Sequence, residues 1–143
     1  MIENKTKIRI RYGETDRMGY AYYGNYATYF EVARVETLRK IGISYRELED
    51  DGIILPVRDY KIKYHKPAYY DDEITVKTRI SEIPKIRFHF TFQTFNKNGE
   101  LLNEAEITLV FVNKKTQKPV LIPTNLKKKM EKCLVIMRKL LRF

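Results

Sequence analysis

Between Tyr12 and Glu31 the chain reads Tyr-Gly-Glu-Thr-Asp-Arg-Met-Gly-Tyr-Ala-Tyr-Tyr-Gly-Asn-Tyr-Ala-Thr-Tyr-Phe-Glu. This stretch holds the residues whose types and spacing could do chemistry. Asp16 sits in a loop, and the start of a helix follows a few residues later. Attack on a carbonyl needs a nucleophile or base beside the carbon and hydrogen-bond donors at the oxygen, where negative charge develops. Asp16 can supply the first. The backbone N–H groups around Tyr23 and Gly24 can supply the second, because a helix N-terminus presents unpaired donors and a positive dipole end. The competing reading is that Asp16 merely stabilises its turn, with the Tyr23 side chain lining a pocket.

The elements that must position these groups follow from periodicity. Thr6 to Tyr12 alternates, with Ile8, Ile10 and Tyr12 on one face and Lys7, Arg9 and Arg11 on the other, the period of a half-buried strand that stops at Gly13. From Asn25 to Ile41 no Gly or Pro interrupts. Tyr26, Phe30, Ala33, Thr37 and Ile41 fall on one helical face, and Gly42 suits the C-cap. Val32, Val35 and Leu38 lie away from that face, so the helix is expected to be enclosed by other structure. Glu31 shares the Val35/Leu38 sector. It could hold water near a reacting carbonyl or pair with Arg34 three residues on.

Ser44 and Glu47 form a capping box that opens a short second helix ending near Gly52. An extended segment runs from Ile54 to Lys66, and Pro67 bends or stops it. Glu73–Ile83 turns Ile74, Val76, Thr78 and Ile80 inward; Ile86–Phe95 does the same with Ile86, Phe88, Phe90 and Phe92. Asn98-Gly99 predicts a type I′ hairpin. Glu104–Val112 turns Ala105, Ile107, Leu109 and Phe111 inward, while Val110 and Val112 make its other face apolar too, as if buried against a second subunit. The order is strand, long helix, then four strands. One helix with so much apolar surface calls for an α+β domain, an antiparallel five-stranded curved sheet wrapped around it.

The quoted residues resemble the hotdog-fold thioesterases of the 4-hydroxybenzoyl-CoA thioesterase/YbgC-like family. The similarity runs through Asp16, Gly19, Tyr22 and Tyr23, Gly24-Asn25-Tyr26 and Glu31-Val32-Ala33-Arg34. It continues through Pro67-Ala68 with Asp71-Asp72 and through Leu102-Asn103-Glu104-Ala105-Glu106, covering roughly residues 6 to 123. The resemblance implies the hotdog fold and hydrolysis of an acyl-CoA thioester, with Asp16 as nucleophile or general base. It implies a site drawn from Tyr23, Gly24, Asn25, Tyr26 and Glu31, and a homodimer or homotetramer. Many YbgC-like members carry His where this chain has Tyr23, whereas the 4-hydroxybenzoyl-CoA branch carries Tyr. No metal, redox group or other cofactor is implied.

Composition sets the outer bounds. At 143 residues, 32% charged and 43% hydrophobic, the chain suits one soluble domain. We divide it at residue 126, with a hotdog domain before and a basic amphipathic helix over 127–143. No apolar run approaches the roughly 18 residues of a membrane span, Met1–Lys5 leads straight into a strand, and Cys133 stands alone, so a cytoplasmic location is expected. The net charge is +10, of which residues 127–143 hold +6, seven Lys/Arg against Glu131. The remainder, +4, favours a polyanionic ligand such as a CoA ester and does not make a nucleic-acid footprint.

Lys85 and Arg87, at a strand start after Ile83-Pro84, are candidates for the CoA phosphates or simply solvated cations. His65 and His89 have no second ligand at metal spacing, so no metal is assigned. Ser44 and Ser81 lack a nucleophile elbow. In the tail, Leu126, Met130, Cys133 or Leu134, Met137 and Leu141 form one stripe, with Lys127, Lys128, Lys129, Lys132, Arg138, Lys139 and Arg142 largely elsewhere. It can dock on the domain or a partner subunit, or meet an anionic membrane surface or an acidic acyl-carrier protein. Two other readings remain: a noncatalytic module that binds acyl chains or carrier protein, and, more weakly, a dehydratase, which lacks its His/Asp pair.

Overall fold

The alternation of apolar and charged residues becomes sheet almost throughout. In the computed structural model, which describes residues 1–141, the strands are β1 (Ile2–Arg9), β2 (Ile53–Ile54), β3 (Val57–Tyr64), β4 (Glu73–Ile80), β5 (Arg87–Phe95), β6 (Leu101–Val110) and β7 (Val112–Asn113). The helices are α1 (Tyr26–Lys40), α2 (Tyr45–Asp50) and α3 (Thr124–Leu140), with 3-10 turns at Tyr12–Glu14 and Tyr23–Asn25. Arg142 and Phe143, which belong to the expected basic tail, lie outside the described residues.

Five strands form one antiparallel sheet in the order β1-β4-β5-β6-β3. Chain neighbours β4, β5 and β6 pair as consecutive hairpins, which leaves β1 and β3 at the edges. Between these two in sequence runs α1, and its apolar face packs on the sheet. Phe30 stacks on Phe92 with ring centroids 4.6 Å apart, Phe88 on Phe90 at 4.3 Å, and Phe88 on Phe111 at 5.6 Å. Each of these rings is essentially sealed from solvent, a gain of about 1.5–3 kcal/mol per side chain. The inward sets predicted for β4, β5 and β6 are the buried ones, except that Ile86 precedes β5 and is exposed.

Several local expectations are corrected. The first strand begins at Ile2 and ends at Arg9, so Tyr12 falls in a turn and is 78% exposed. Helix α1 is not enclosed all round: Glu31 and Val32 are exposed while Tyr26, Tyr29, Phe30, Ala33, Arg34, Thr37 and Leu38 are buried. The β5–β6 connection is not type I′. Gly99 has φ +77° but Asn98 does not have positive φ. The carboxamide of Asn96 instead accepts from the N–H groups of Asn98 and Glu100, both at 3.0 Å, and closes a longer loop. At the two-sided apolar end of β6 one chain covers Val112 and leaves Val110 partly exposed. Val112 belongs to β7, which pairs with β2 in a small ribbon, Ile54 opposite Val112.

Ser44 caps α2 as predicted, its Oγ accepting from the Glu47 N–H at 3.1 Å, but the return bond from Ser44 N–H to the Glu47 carboxylate that would complete a capping box does not form among the described residues. Helix α3 starts at Thr124, so the division at residue 126 falls inside it; Leu126 and Met130 are fully buried in the core.

Candidate active site

The loop after β1 is held to the start of α1 by Glu14. Its carboxylate accepts from the Arg11 N–H (2.9 Å), the Arg11 guanidinium (2.8 Å) and the Tyr29 hydroxyl (3.0 Å). Its carbonyl accepts from the Asn25 side chain (2.8 Å) and the Tyr22 N–H (2.8 Å). Partial burial opposes ionisation of Glu14, but the bonds from Arg11 and Tyr29 outweigh it and hold the carboxyl below its ordinary value of 4.5. The same contact acts in reverse on Tyr29: burial first, then the Glu14 carboxylate, push its hydroxyl well above the usual range.

Asp16 lies two residues further on, in a tight turn. Its Oδ1 accepts from the N–H groups of Met18 (2.9 Å) and Tyr20 (3.2 Å), and its backbone pairs with Tyr20 and Gly19. The turn-stabilising reading of Asp16 is therefore physically real. Both bonds fall on Oδ1, however, which leaves Oδ2 without a donor among the described residues and able to act on something else.

That side chain lines a cavity of about 270 Å³ with Met18, Tyr20, Tyr23, Tyr26, Tyr64 and Pro67 among its walls. Tyr23 opens the 3-10 turn that leads into α1, and the N–H groups of Tyr23 and Gly24, as the first of that turn, have no acceptor within it. The Tyr64 hydroxyl donates to the Tyr23 carbonyl at 3.3 Å, tying the end of β3 to this turn. Gly24 lets the Tyr22 ring lie close over the turn: a Cβ there would stand 2.7 Å from that ring, and the exposed tyrosine would have to swing aside. Tyr26 is edge-on to Tyr64, ring centroids 5.7 Å apart. Burial first and then Tyr64 push the Tyr26 phenol up to about 12, so it stays a neutral donor at any physiological pH.

The sequence-predicted residues divide three ways. Asp16, Tyr23 and Tyr26 meet at the cavity, with Gly24 and Asn25 in the turn beside it. Glu31 is exposed on α1 and lines no part of the cavity; the ion pair with Arg34 is absent, and Arg34 is buried with Nε and Nη1 lacking acceptors among the described residues. Lys85 and Arg87 are exposed at the other end of the sheet. Arg87 pairs with Val110 and Tyr64 with Asn103, seven residues apart along β6, or about 24 Å of strand. They border a separate groove with Ser81, Glu82 and His89.

Sequence reasoning missed the far wall: Tyr64, His65, Lys66 and Pro67. His65, read as an ordinary strand residue, borders the cavity with its ring 3.1 Å from a Glu104 carboxylate oxygen. The signal was Pro67 followed by Asp71-Asp72. Ala21 N–H donates to the Ala68 carbonyl at 2.7 Å, and Ile10 and the Asp71–Asp72 turn exchange backbone bonds at 2.9 Å. That turn needs Asp71 in the left-handed region, φ +66°. Glu14 was also missed, although its spacing of three from Arg11 was visible.

Residues 10–130 match the family model of the thioesterase-like superfamily. The putative acyl-CoA thioesterase YneP of Bacillus subtilis is 33% identical over 117 residues, 82% of this chain and 85% of that protein. The acyl-CoA thioester hydrolase YbgC of Escherichia coli is 32% identical over 119 residues, 83% and 89% respectively. Among solved structures, a DHNA-CoA thioesterase from Staphylococcus aureus superposes with a TM-score of 0.89 at 35% identity, covering 97% of this chain and 95% of the other. With an antiparallel five-stranded sheet packed on α1 and this breadth of match, the chain is a hotdog-fold member of the thioesterase-like superfamily.

Proposed function

We propose that this protein hydrolyses acyl-CoA thioesters to the free acid and CoA, with Asp16 as nucleophile or general base and the Tyr23 and Gly24 amides at the thioester oxygen. The observation that carries this reading is the cavity lined by both Asp16 and Tyr23. Asp16 lines it with an Oδ2 that accepts no hydrogen bond among the described residues, and Tyr23, which opens the turn into α1, lines it as well. As nucleophile, Asp16 attacks the carbonyl carbon, CoA leaves as its thiolate, and water then cleaves the acyl-aspartyl anhydride. As general base, Asp16 takes a proton from the attacking water directly. In both routes the oxygen becomes an oxyanion that fixed amides stabilise at no reorganisation cost.

The acyl group is aromatic in this reading. Four tyrosines, Tyr20, Tyr23, Tyr26 and Tyr64, wall a cavity at or below the small end of the ~300–1,000 Å³ of common ligand pockets, which fits a compact ring better than a long alkyl chain. A relative from Thermosynechococcus vestitus, 25% identical over 109 residues, is named a 1,4-dihydroxy-2-naphthoyl-CoA hydrolase, after a fused-ring acyl group.

A second copy completes the site. Strand β3 is an edge strand with Val57, Tyr60 and Tyr64 exposed, and an uncovered edge is a template for pairing. Antiparallel addition of a second β3 about a two-fold axis reverses strand direction. The copy's Val57 end, and with it Lys85 and Arg87, then falls beside the Tyr64 end and the Asp16 cavity. The copy's β5 stands three strand spacings away, about 14 Å, a separation suited to a ligand as long as CoA. A homodimer is therefore the least assembly that gives Lys85 and Arg87 a role with the CoA phosphates.

The test is release of free thiol from a panel of aryl- and alkyl-CoA esters. Fastest turnover of aryl esters is expected; no thiol release from any ester overturns the proposal in favour of a binding module.

A further inference from the structure

Helix α3 carries one apolar stripe along its whole length, and only the first half is covered. Leu126 and Met130 are fully buried in the core. Beyond them the stripe runs on through Met137, Leu140 and Leu141, with Ile136 at its margin. Ile136 is half exposed, while Leu140 and Leu141 are 70% and 83% exposed. Cys133 and Leu134 still pack partly on the core, so the uncovered stretch begins beyond Leu134.

We propose that this distal half of α3 docks the protein on an anionic lipid bilayer. Charge selects this occupant. Lys127, Lys128, Lys132, Arg138 and Lys139 are exposed around the stripe, and Glu131 is the one acid of the helix. A second copy laid on the same stripe would bring two such cationic flanks together, because a two-fold contact is self-complementary and sets like against like. A bilayer carrying anionic headgroups takes both features at once, the apolar stripe at the acyl boundary and the cations at the phosphates.

The base of the helix is rigidly placed for this. The Lys129 ammonium donates to the Gly42 carbonyl at 2.6 Å, pinning α3 to the end of α1. Next to that contact a groove of about 400 Å³ opens, bordered by Lys40, Lys132, Cys133 and Ile136, where cations and an apolar wall again adjoin. The distal half therefore projects from a fixed root instead of folding back on the sheet. This inference is independent of the hydrolytic reading and adds an address to it.

The experiment is flotation of the full-length protein with vesicles of phosphatidylcholine alone and of phosphatidylcholine mixed with phosphatidylglycerol. Binding is expected only to the mixed vesicles and is weakened by salt. The triple variant K128E/K132E/K139E lowers the partition coefficient by about a hundredfold or more, and I136S/L140S abolishes binding. These positions are exposed, so both variants keep the wild-type melting temperature and solution turnover of acyl-CoA. Absence of binding to mixed vesicles overturns the proposal, as does equal binding by either variant. A change of oligomeric mass in I136S/L140S without vesicle binding also overturns it and assigns the stripe to a second copy. Capture by an acidic acyl-carrier protein with no vesicle binding overturns it in favour of that partner.

Discussion

The hydroxyl of Tyr29, on the first turn of α1, donates to Oε1 of Glu14 at 3.0 Å, and together with the bonds that the Glu14 carbonyl accepts from Asn25 and Tyr22 it couples the loop bearing Asp16 to the start of α1. Among these three it is the one that depends on the Glu14 charge. Glu14→Gln removes the charge that both Arg11 and Tyr29 address. Charge-assisted hydrogen bonds of this kind are worth about 1.5–3 kcal/mol each before any rearrangement, so a loss on the order of 1–2 kcal/mol is expected. The pH dependence has a definite sign. Glu14 is held below 4.5 in the folded state, so its contribution is fully present above that pH and drains away as pH falls through the lower folded value. Melting curves should show the wild type and Glu14→Gln converging at acid pH; a gap that stays constant down to pH ~3 contradicts the assignment.

Asp16→Asn keeps the shape and the Oδ1 acceptor for Met18 and Tyr20 while removing the nucleophilic or basic oxygen. Turnover should drop by about a thousandfold or more, the scale on which catalytic carboxylates act, with the melting temperature within a degree or two of wild type. Single turnover of the wild type in heavy-oxygen water, with rapid quenching, then separates the two routes. Label in the Asp16 carboxylate, detected in the peptide by mass spectrometry, marks a nucleophile whose anhydride is opened by water at the aspartyl carbon. Water attack at the acyl carbon leaves the peptide unlabelled, as a general base does, and the acyl-Asp16 adduct in the quenched peptide distinguishes these two: present for a nucleophile, absent for a base.

How much of this was legible beforehand depended on the range of the interaction. Periods of two and of three to four gave the strands, α1 and the inward phenylalanines, because burial on one face is written directly into alternation. The start of the Asp16 loop was misplaced because Ile8-Arg9-Ile10-Arg11-Tyr12 alternates without a break, and only the pairing of β1 with β4, which ends at Arg9 opposite Glu73, stops the strand. The far wall of the cavity was not legible. The segment holding Tyr64, His65 and Pro67 is tied to the Asp16 loop by the backbone bond from the Ala21 N–H to the Ala68 carbonyl, and such a bond leaves no mark on side-chain periodicity. Val32 and Glu31 misled in the opposite direction: apolar composition around α1 suggested enclosure, and one chain leaves that face open.

Asp71 offers a check on that bracing segment. Its φ of +66° costs a residue with a Cβ roughly 1–2 kcal/mol, and Asp or Asn tolerate it best after Gly. Asp71→Gly should be close to neutral in thermal unfolding. Asp71→Val should lose about 1–2 kcal/mol, and because Asp71 N–H donates to the Ile10 carbonyl, turnover should fall with it. An equally stable valine variant removes the claim that this turn holds the Asp16 loop in place.

The last prediction concerns the residues that one chain cannot bring to the cavity. If a second copy adds at β3, Lys85 and Arg87 act in trans, as forks for phosphate at a distance from the reacting carbon. Lys85→Ala/Arg87→Ala should then raise KM for CoA esters about tenfold or more, as loss of one or two phosphate contacts implies, while kcat at saturation changes little. Cutting the substrate to an acyl-pantetheine, which lacks those phosphates, should erase the difference between variant and wild type. A charged residue at the uncovered edge, Val57→Lys, should weaken the dimer in sedimentation and raise KM in parallel. The decisive mixture combines two defective chains, the inactive Asp16→Asn and the high-KM Lys85→Ala/Arg87→Ala, under conditions where subunits exchange. Sites pairing intact Asp16 from one chain with intact cations from the other should recover low-KM turnover in about a quarter of the sites. Recovery limited to the sum of the two parents would place all three residues in one chain's own chemistry and dissolve the case for the shared site.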